Sequence, residues 1–376
     1  MSMDLKIKFN TLSKLKIMHI TDTHLEDNHN LNSVTWMIGK ACDREKPDLV
    51  IITGDNVLNY DNPQKTKGII NSLMNIFESR HIPVAVTFGN HDSEQGALSR
   101  RELLSYYNTF TCSVSVDNGD LFEHCSTYNI PIFSFDGEKI KFNLWIFDSG
   151  DYDEQKRYDC VQPDQIEWYE KTSEKLKNEN GGEIVPSLAF QHIIVSEIYD
   201  VLKKVKYPRP YAVRHLYNRN DYYTFDPKQK NYGTLKEYPC PGYYNCGQFD
   251  AMLKNGDVLA VFTGHDHTNG FGVRYKGIDI YTSLATQYRG TCNSTQYGYR
   301  IIEVDENDTT TYKTRVVRWC DLFNSEYAKT EKQKGETQTY KLARKLAFQG
   351  KIQKNASNIY RVIVEKISSR KVTYPD

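Results

Sequence analysis

No run of about 18 apolar residues occurs in this chain, so nothing in it reads as a membrane-spanning helix. The first fifteen residues are mixed and charged and lack the apolar stretch of a secretory leader, so the expectation is a soluble, cytoplasmic protein. There is no charge of one sign to spare: 48 Lys and Arg balance 48 Asp and Glu. Nothing global therefore argues for nucleic acid or an acidic surface as partner. The eight cysteines contain no C-x-x-C pair, which argues against a thiolate metal site. The two nearest in sequence, Cys240 and Cys246, are the pair to consider for a bridge, and an intracellular compartment favours free thiols. Sequence repeats and low-complexity tracts are also lacking, which excludes a solenoid. Three N-x-S/T sequons, at Asn293, Asn307 and Asn355, read as chance matches without a leader.

What is present is a folding pattern. Aromatic residues make up 12% of the chain, with 27 Tyr, as suits a folded, strand-containing protein. Leu15 to Ile20, Asp48 to Thr53 and Val84 to Phe88 read as strands, and the helical patterns Leu31 to Glu45 and Gln64 to Ser79 lie between them. Strand, loop and helix repeated in this way predict a layered α/β sheet. Ile130 to Phe135 and Lys139 to Phe147 flank Asp136-Gly137 as a hairpin, and Gln162 to Asn178 follows as a helix. Short strands are expected at Ser187 to Phe190 and Val258 to Phe262, and a second sheet from Ile278 to Ser283, Tyr299 to Val304 and Thr310 to Trp319. Tyr207 to Gly247 has no period and reads as a long loop over the site. Residues 1–320 form the expected main domain. Residues 321–376 form a basic extension, partly helical at Lys341 to Phe348 and packed on the domain; Glu326 to Asp376 holds 12 Lys/Arg against 5 Asp/Glu.

Five polar clusters each follow a predicted strand: Asp22-Thr23-His24, Gly54-Asp55-Asn56, Gly89-Asn90-His91-Asp92, His192, and Gly264-His265-Asp266-His267. Any one alone is an ordinary polar residue at a strand end. Ligands of open α/β sheets bind beyond the carboxyl ends of the strands, so five such ends should converge on one crevice. The donors are carboxylate, imidazole and amide oxygen, without thiolate. Such a set suits Mn, Fe, Zn or Co and is too nitrogen-rich for Ca or Mg. It is also too large for one tetrahedral ion, whereas two ions about 3.5 Å apart and sharing a bridging Asp use all of it. His19, within an apolar strand, reads as a core residue. His29, His81, His124 and His215 have no motif context.

The ordered series D-x-H, G-D, G-N-H-D, H, G-H-x-H resembles the calcineurin-like metallophosphoesterase superfamily over roughly Lys16 to Trp319. The resemblance implies a two-sheet αββα sandwich with the metal site at the carboxyl ends of the strands. It implies that Asp22, His24 and His267 hold one transition-metal ion, that Asn90, His192 and His265 hold the other, and that Asp55 bridges both. His91 is implied as general acid, with Asp92 orienting it. The implied reaction is hydrolysis of a phosphomonoester, small molecule or phosphoprotein, by hydroxide generated at the ions. A phosphodiesterase on the same site and a non-catalytic scaffold are the alternatives. Leu144 to Tyr152, Gln162 to Trp168 and Ala260 to Asn269 further resemble the purple-acid-phosphatase-related phosphoesterases of plants and yeast. Purple enzymes carry an iron-binding Tyr three residues after the bridging Asp. Here Leu58 stands at that place and Tyr60 comes two residues later, which implies a colourless enzyme.

Overall fold

The computed structural model describes residues 6–27, 29–94, 96–208, 211–288, 296–333, 341–352 and 354–355. The Asn293 sequon and residues 356–376 of the basic extension lie outside them.

Period-two alternation in the strands builds two faces at once. In Lys14–Ile20, Leu15 and Ile17 face one way and Met18 and Ile20 the other. Leu49 and Ile51 oppose Val50 and Ile52 in the same manner in Leu49–Thr53. The inner set meets Leu144, Ile146, Leu188, Phe190, Ala260 and Phe262 of a second sheet, which closes a dry layer between sheets. The outer set is covered by the helices His29–Glu45, Pro63–Glu78 and Arg100–Tyr107. The outer face of the second sheet, with Trp145, Phe147 and Val261, lies under the helices Pro163–Glu179 and Gln248–Asn255. Two helices start where the sequence supplies a cap. Asn62 accepts the Gln64 N–H ahead of Pro63, and Ser99 forms a capping box with Glu102.

The first sheet runs Asp308–Arg318, Gly298–Asp305, Lys14–Ile20, Leu49–Thr53, Val84–Thr87, with the last three parallel. The second has eight strands, and at its centre Ile140–Ile146, Ser187–Phe190, Val258–Thr263 and Ile278–Thr282 are parallel neighbours. Two expectations are corrected here. Ile278–Thr282 does not share a sheet with the last two strands. It pairs with Val258–Thr263 and with the strand Gly270–Tyr275, to which a tight turn with Gly277 at φ 100° joins it. The αββα description is also incomplete, because a third sheet forms from three short strands, Lys203–Val205 just before the expected loop and Val213–Arg214 and Tyr222–Thr224 within it. Its polar and aromatic residues pair with one another and present no apolar period to read.

The segment 341–352 is helical, with Ala343 and Leu346 buried in the same apolar cluster as Trp319 and Phe323. Among the described residues no helix is long and apolar enough to cross a membrane. All seven described cysteines are free thiols. The sulphur that faces Cys246 is that of Cys160, 2.9 Å away, while the Cys240 thiol donates to the Tyr238 carbonyl at 3.4 Å.

Candidate metal centre

The parallel strands of both sheets deliver their carboxyl ends to one rim. Asp22 and His24 leave Lys14–Ile20, Asp55 leaves Leu49–Thr53, and Asn90 leaves Val84–Thr87. The second sheet supplies His192 after Ser187–Phe190, and His265 and His267 after Val258–Thr263. The turns are severe. Asp22, His24, Asp55 and His265 all have left-handed backbone, at φ 52°, 41°, 51° and 69°. Side chains are held in that region only where the surroundings over-determine them, commonly at functional sites. Gly54 makes the approach possible: a Cβ there would sit 2.4 Å from the Gly89 nitrogen and 2.7 Å from His192 Nδ1.

Two clusters result. Asp22, His24, Asp55 and His267 present donor atoms within 4.8 Å of one another, as do Asp55, His192 and His265. Asp55 belongs to both. Its Oδ2 lies 3.3 Å from His24 Nε2 and 3.3 Å from His192 Nε2, is buried, and accepts no hydrogen bond. Its other oxygen accepts the His91 N–H at 2.9 Å. His192 Nδ1 faces the Thr53 carbonyl at 2.8 Å, so that nitrogen carries a proton and donates it, which leaves Nε2 for the cluster. Asn90 Oδ1 stands 3.2 Å from the same Nε2. His24 Nε2 and His267 Nε2 oppose each other at 3.0 Å, and His267 Nε2 is 3.3 Å from Asp22 Oδ1. His265 Nε2 is buried without a partner.

Buried polar atoms are nearly always satisfied, so orphaned acceptors converging from separate elements require an explanation. Cations are that explanation, since they alone satisfy several lone pairs at one point. The charges agree. Burial alone would raise Asp22 and Asp55, yet His192, with His267 on Asp22 and His24 on Asp55, holds both well below the carboxylate range. Burial opposes a charge on His192, but the Asp55 and Asp22 carboxylates prevail and raise it to about 10, so a cation that takes Nε2 must displace a proton from it. His265, pressed by burial and by His192, falls to about 3 and is a neutral donor.

His91 stands apart from both clusters. Its ring is 44% exposed, opens to the rim, and has its centroid 5.5 Å from that of His24. The expected pairing with Asp92 is corrected. Asp92 is buried and turned inward, where it accepts the N–H groups of Asp55 at 2.7 Å, Asn56 at 2.9 Å and Gly89 at 2.7 Å. Three backbone donors leave it no direction toward His91; it ties the second and third ligand loops together. Burial and the neighbouring Asp55 raise its carboxyl to about 6. The carboxylate on His91 is Glu94, with Oε2 2.5 Å from Nδ1. The sequence offered only an i, i+3 spacing as a sign of it. Three further residues escaped the sequence reading. Arg100, partly buried, holds the loop through the Gly89 carbonyl at 2.8 Å and Asp148 at 2.5 Å. Tyr152 accepts Asn90 Nδ2 at 2.8 Å, and Tyr158 packs edge-on against His265 at 4.4 Å. Asn269, two residues after His267, donates to Asp266 and accepts the Lys236 and Glu237 N–H groups.

The calcineurin-like phosphoesterase family profile matches residues 15–269. A protein of Arabidopsis thaliana named probable inactive purple acid phosphatase 29 is 26% identical over 308 residues, which cover 73% of this chain and 72% of that one. Phosphatase DCR2 of Saccharomyces cerevisiae is 26% identical over 288 residues, 69% of this chain and 45% of the yeast protein. The crystal structure of a dimetal phosphatase from Danio rerio shares the fold, with a TM-score of 0.51 at 14% identity, covering 81% of this chain and 99% of that one. The matched stretch runs through every strand end that supplies a donor, from Asp22 to His267, and on that ground the chain belongs to the calcineurin-like phosphoesterases: it is a metallophosphoesterase whose paired Asp/His clusters suit two divalent transition-metal ions.

Proposed function

We propose that this enzyme hydrolyses phosphomonoesters, with Asp22, His24 and His267 on one ion, Asn90, His192 and His265 on the other, and Asp55 shared. The observation that carries this reading is the Asp55 Oδ2 atom, buried and unpartnered at 3.3 Å from one imidazole of each cluster. Two bound cations supply Lewis acidity toward phosphate oxygens and lower the pKa of water. The chain's own residues do the rest. His91, exposed at the rim, donates an Nε2 proton to the departing alcohol. Glu94 accepts the Nδ1–H hydrogen bond of the imidazolium that makes this transfer and so holds the ring direction. Asp92 keeps the Asp55 and Gly89 turns in register through its three backbone contacts.

General acid help is typically worth about 100- to 10,000-fold, and only where the leaving group needs a proton. His91→Ala should therefore lose about that factor on alkyl phosphates and far less on dinitrophenyl phosphate. Equal losses on both would remove the acid role. Parallel rates on nitrophenyl mono- and diesters would separate the monoesterase reading from a diesterase. We further propose membership of the purple-acid-phosphatase-related branch, supported by the similar Arabidopsis and yeast proteins. Leu58 stands where purple enzymes place the iron-binding Tyr, and Tyr60 Oη accepts the Asp27 N–H. The iron-loaded enzyme should show no visible tyrosinate-to-iron band.

A further inference from the structure

The segment 151–159 folds back on itself beside the second cluster. Tyr152 and Tyr158 form an antiparallel bridge and stack their rings 5.5 Å apart. The Asp159 N–H closes the base on the Asp151 carbonyl at 3.2 Å. Arg157 Nε donates to Asp153 Oδ2 at 2.6 Å and braces the tip. The outer side is anchored as well: the Tyr243 N–H donates to the Tyr158 carbonyl at 2.9 Å, and the Arg157 guanidinium lies 3.6 Å over the Tyr243 ring.

Inward, the hairpin presents two groups to two donors. The Tyr152 hydroxyl accepts Asn90 Nδ2 at 2.8 Å. A carboxamide has one end that binds cations and one that cannot, and it turns over readily. The hydroxyl fixes which end faces His192. The Tyr158 ring meets the His265 ring at 87°, against the side of an imidazole whose Nε2 has no other partner. We infer that this hairpin is a clamp that positions Asn90 and His265, so that it sets the affinity of the second ion and leaves the first alone. The two side chains that the hairpin meets, Asn90 and His265, both belong to the proposed second ion, which is the source of the selectivity. The inference rests on the proposed reading that Asn90, His192 and His265 hold one ion.

The test is calorimetric titration of the metal-stripped full chain with Zn²⁺, together with metal content after dialysis. Wild type should take two ions. Tyr152→Phe, which removes one oxygen, should bind one ion normally and the other about ten- to a hundredfold more weakly, as for other residues that orient ligands. Tyr158→Leu should do the same, and Tyr158→Phe, which keeps the ring, should behave as wild type. Two wild-type affinities in Tyr152→Phe and Tyr158→Leu, or equal weakening of both ions, would overturn the clamp. Asn90→Ala separates the two levels. If it too binds both ions normally, the ligand assignment fails and the clamp with it. If Asn90→Ala loses an ion and Tyr152→Phe does not, the clamp alone is wrong.

Discussion

Gly89→Ala is the most economical challenge to the centre, because the structure isolates a single cause. The glycine has no left-handed φ, so alanine can take its backbone conformation without penalty. What the added Cβ cannot have is space. It would stand 2.3 Å from Asp55 Oδ1, 2.7 Å from the Asp55 nitrogen and 2.7 Å from His192 Nε2. Normal contact lies beyond about 3.4 Å, so the shared carboxylate and the His192 ring must each retreat by roughly an ångström. Overpacking of this kind costs about 1–3 kcal/mol, a fall of a few degrees in Tm. The chemical cost is larger. An ångström of misplacement in a reacting site is worth about 100-fold in rate. The variant should remain folded by circular dichroism, hold fewer than two ions after dialysis, and lose about 100-fold in kcat/KM. Gly68→Ala is the matched control: it lies within Pro63–Glu78, its added Cβ meets nothing within 4 Å, and it should stabilise by about 0.5–1 kcal/mol. Two ions and wild-type kcat/KM in Gly89→Ala would refute the claim that close approach of these loops builds the site.

Glu94→Gln should lower the rate on alkyl phosphates about tenfold while metal content stays at wild type; a loss of metal would mean that Glu94 acts on the clusters and not on His91. Glu78 lies far from the site, and the Thr111 hydroxyl, aided by the Cys112 amide, holds its carboxyl at about 2. A depressed carboxyl contributes stability above its unfolded pKa of about 4.3 and loses it as pH falls toward the folded value. The Tm deficit of Glu78→Gln should therefore be larger at pH 6 than at pH 3, and the reverse order would contradict the assignment. Oxidation by a small disulfide should join Cys160 to Cys246 and spare Cys240, because the first two sulphurs are 2.9 Å apart; peptide mapping after alkylation reads the pairing.

The donors were legible because their signal is local. A β-branched run that breaks at Asp-x-His or Gly-Asp marks a strand end, and a parallel sheet gathers such ends on one edge without further instruction. Asp22, Asp55, Asn90, His192 and His265 all needed only that. Glu94 and Tyr152 were not legible, since their part depends on where a loop turns after leaving the strand. Asp92 shows the same limit from the other side. Adjacency suggested His91, but a side chain beside a sharp turn points opposite to its neighbour, and three free N–H groups lay on the inner side. The small sheet between Lys203 and Thr224 stayed hidden for a different reason. Strands that rest on their own polar pairing and on scattered Tyr contacts carry no apolar period.

Each cluster draws on both sheets: Asp22, His24 and Asp55 from the five-stranded one meet His267 of the eight-stranded one, and Asp55 and Asn90 meet His192 and His265. An ion in either place is therefore a rivet through the seam of the sandwich, joining segments as remote in sequence as Asp22 and His267. Such a closure removes the freedom of the chain between its ends much as a covalent cross-link does. Chelation should then reach beyond the chemistry: it would unpin one end of the sheet-to-sheet joint, and the backbone amides at the tips of Leu49–Thr53 and Val258–Thr263 should lose their shelter from exchange together.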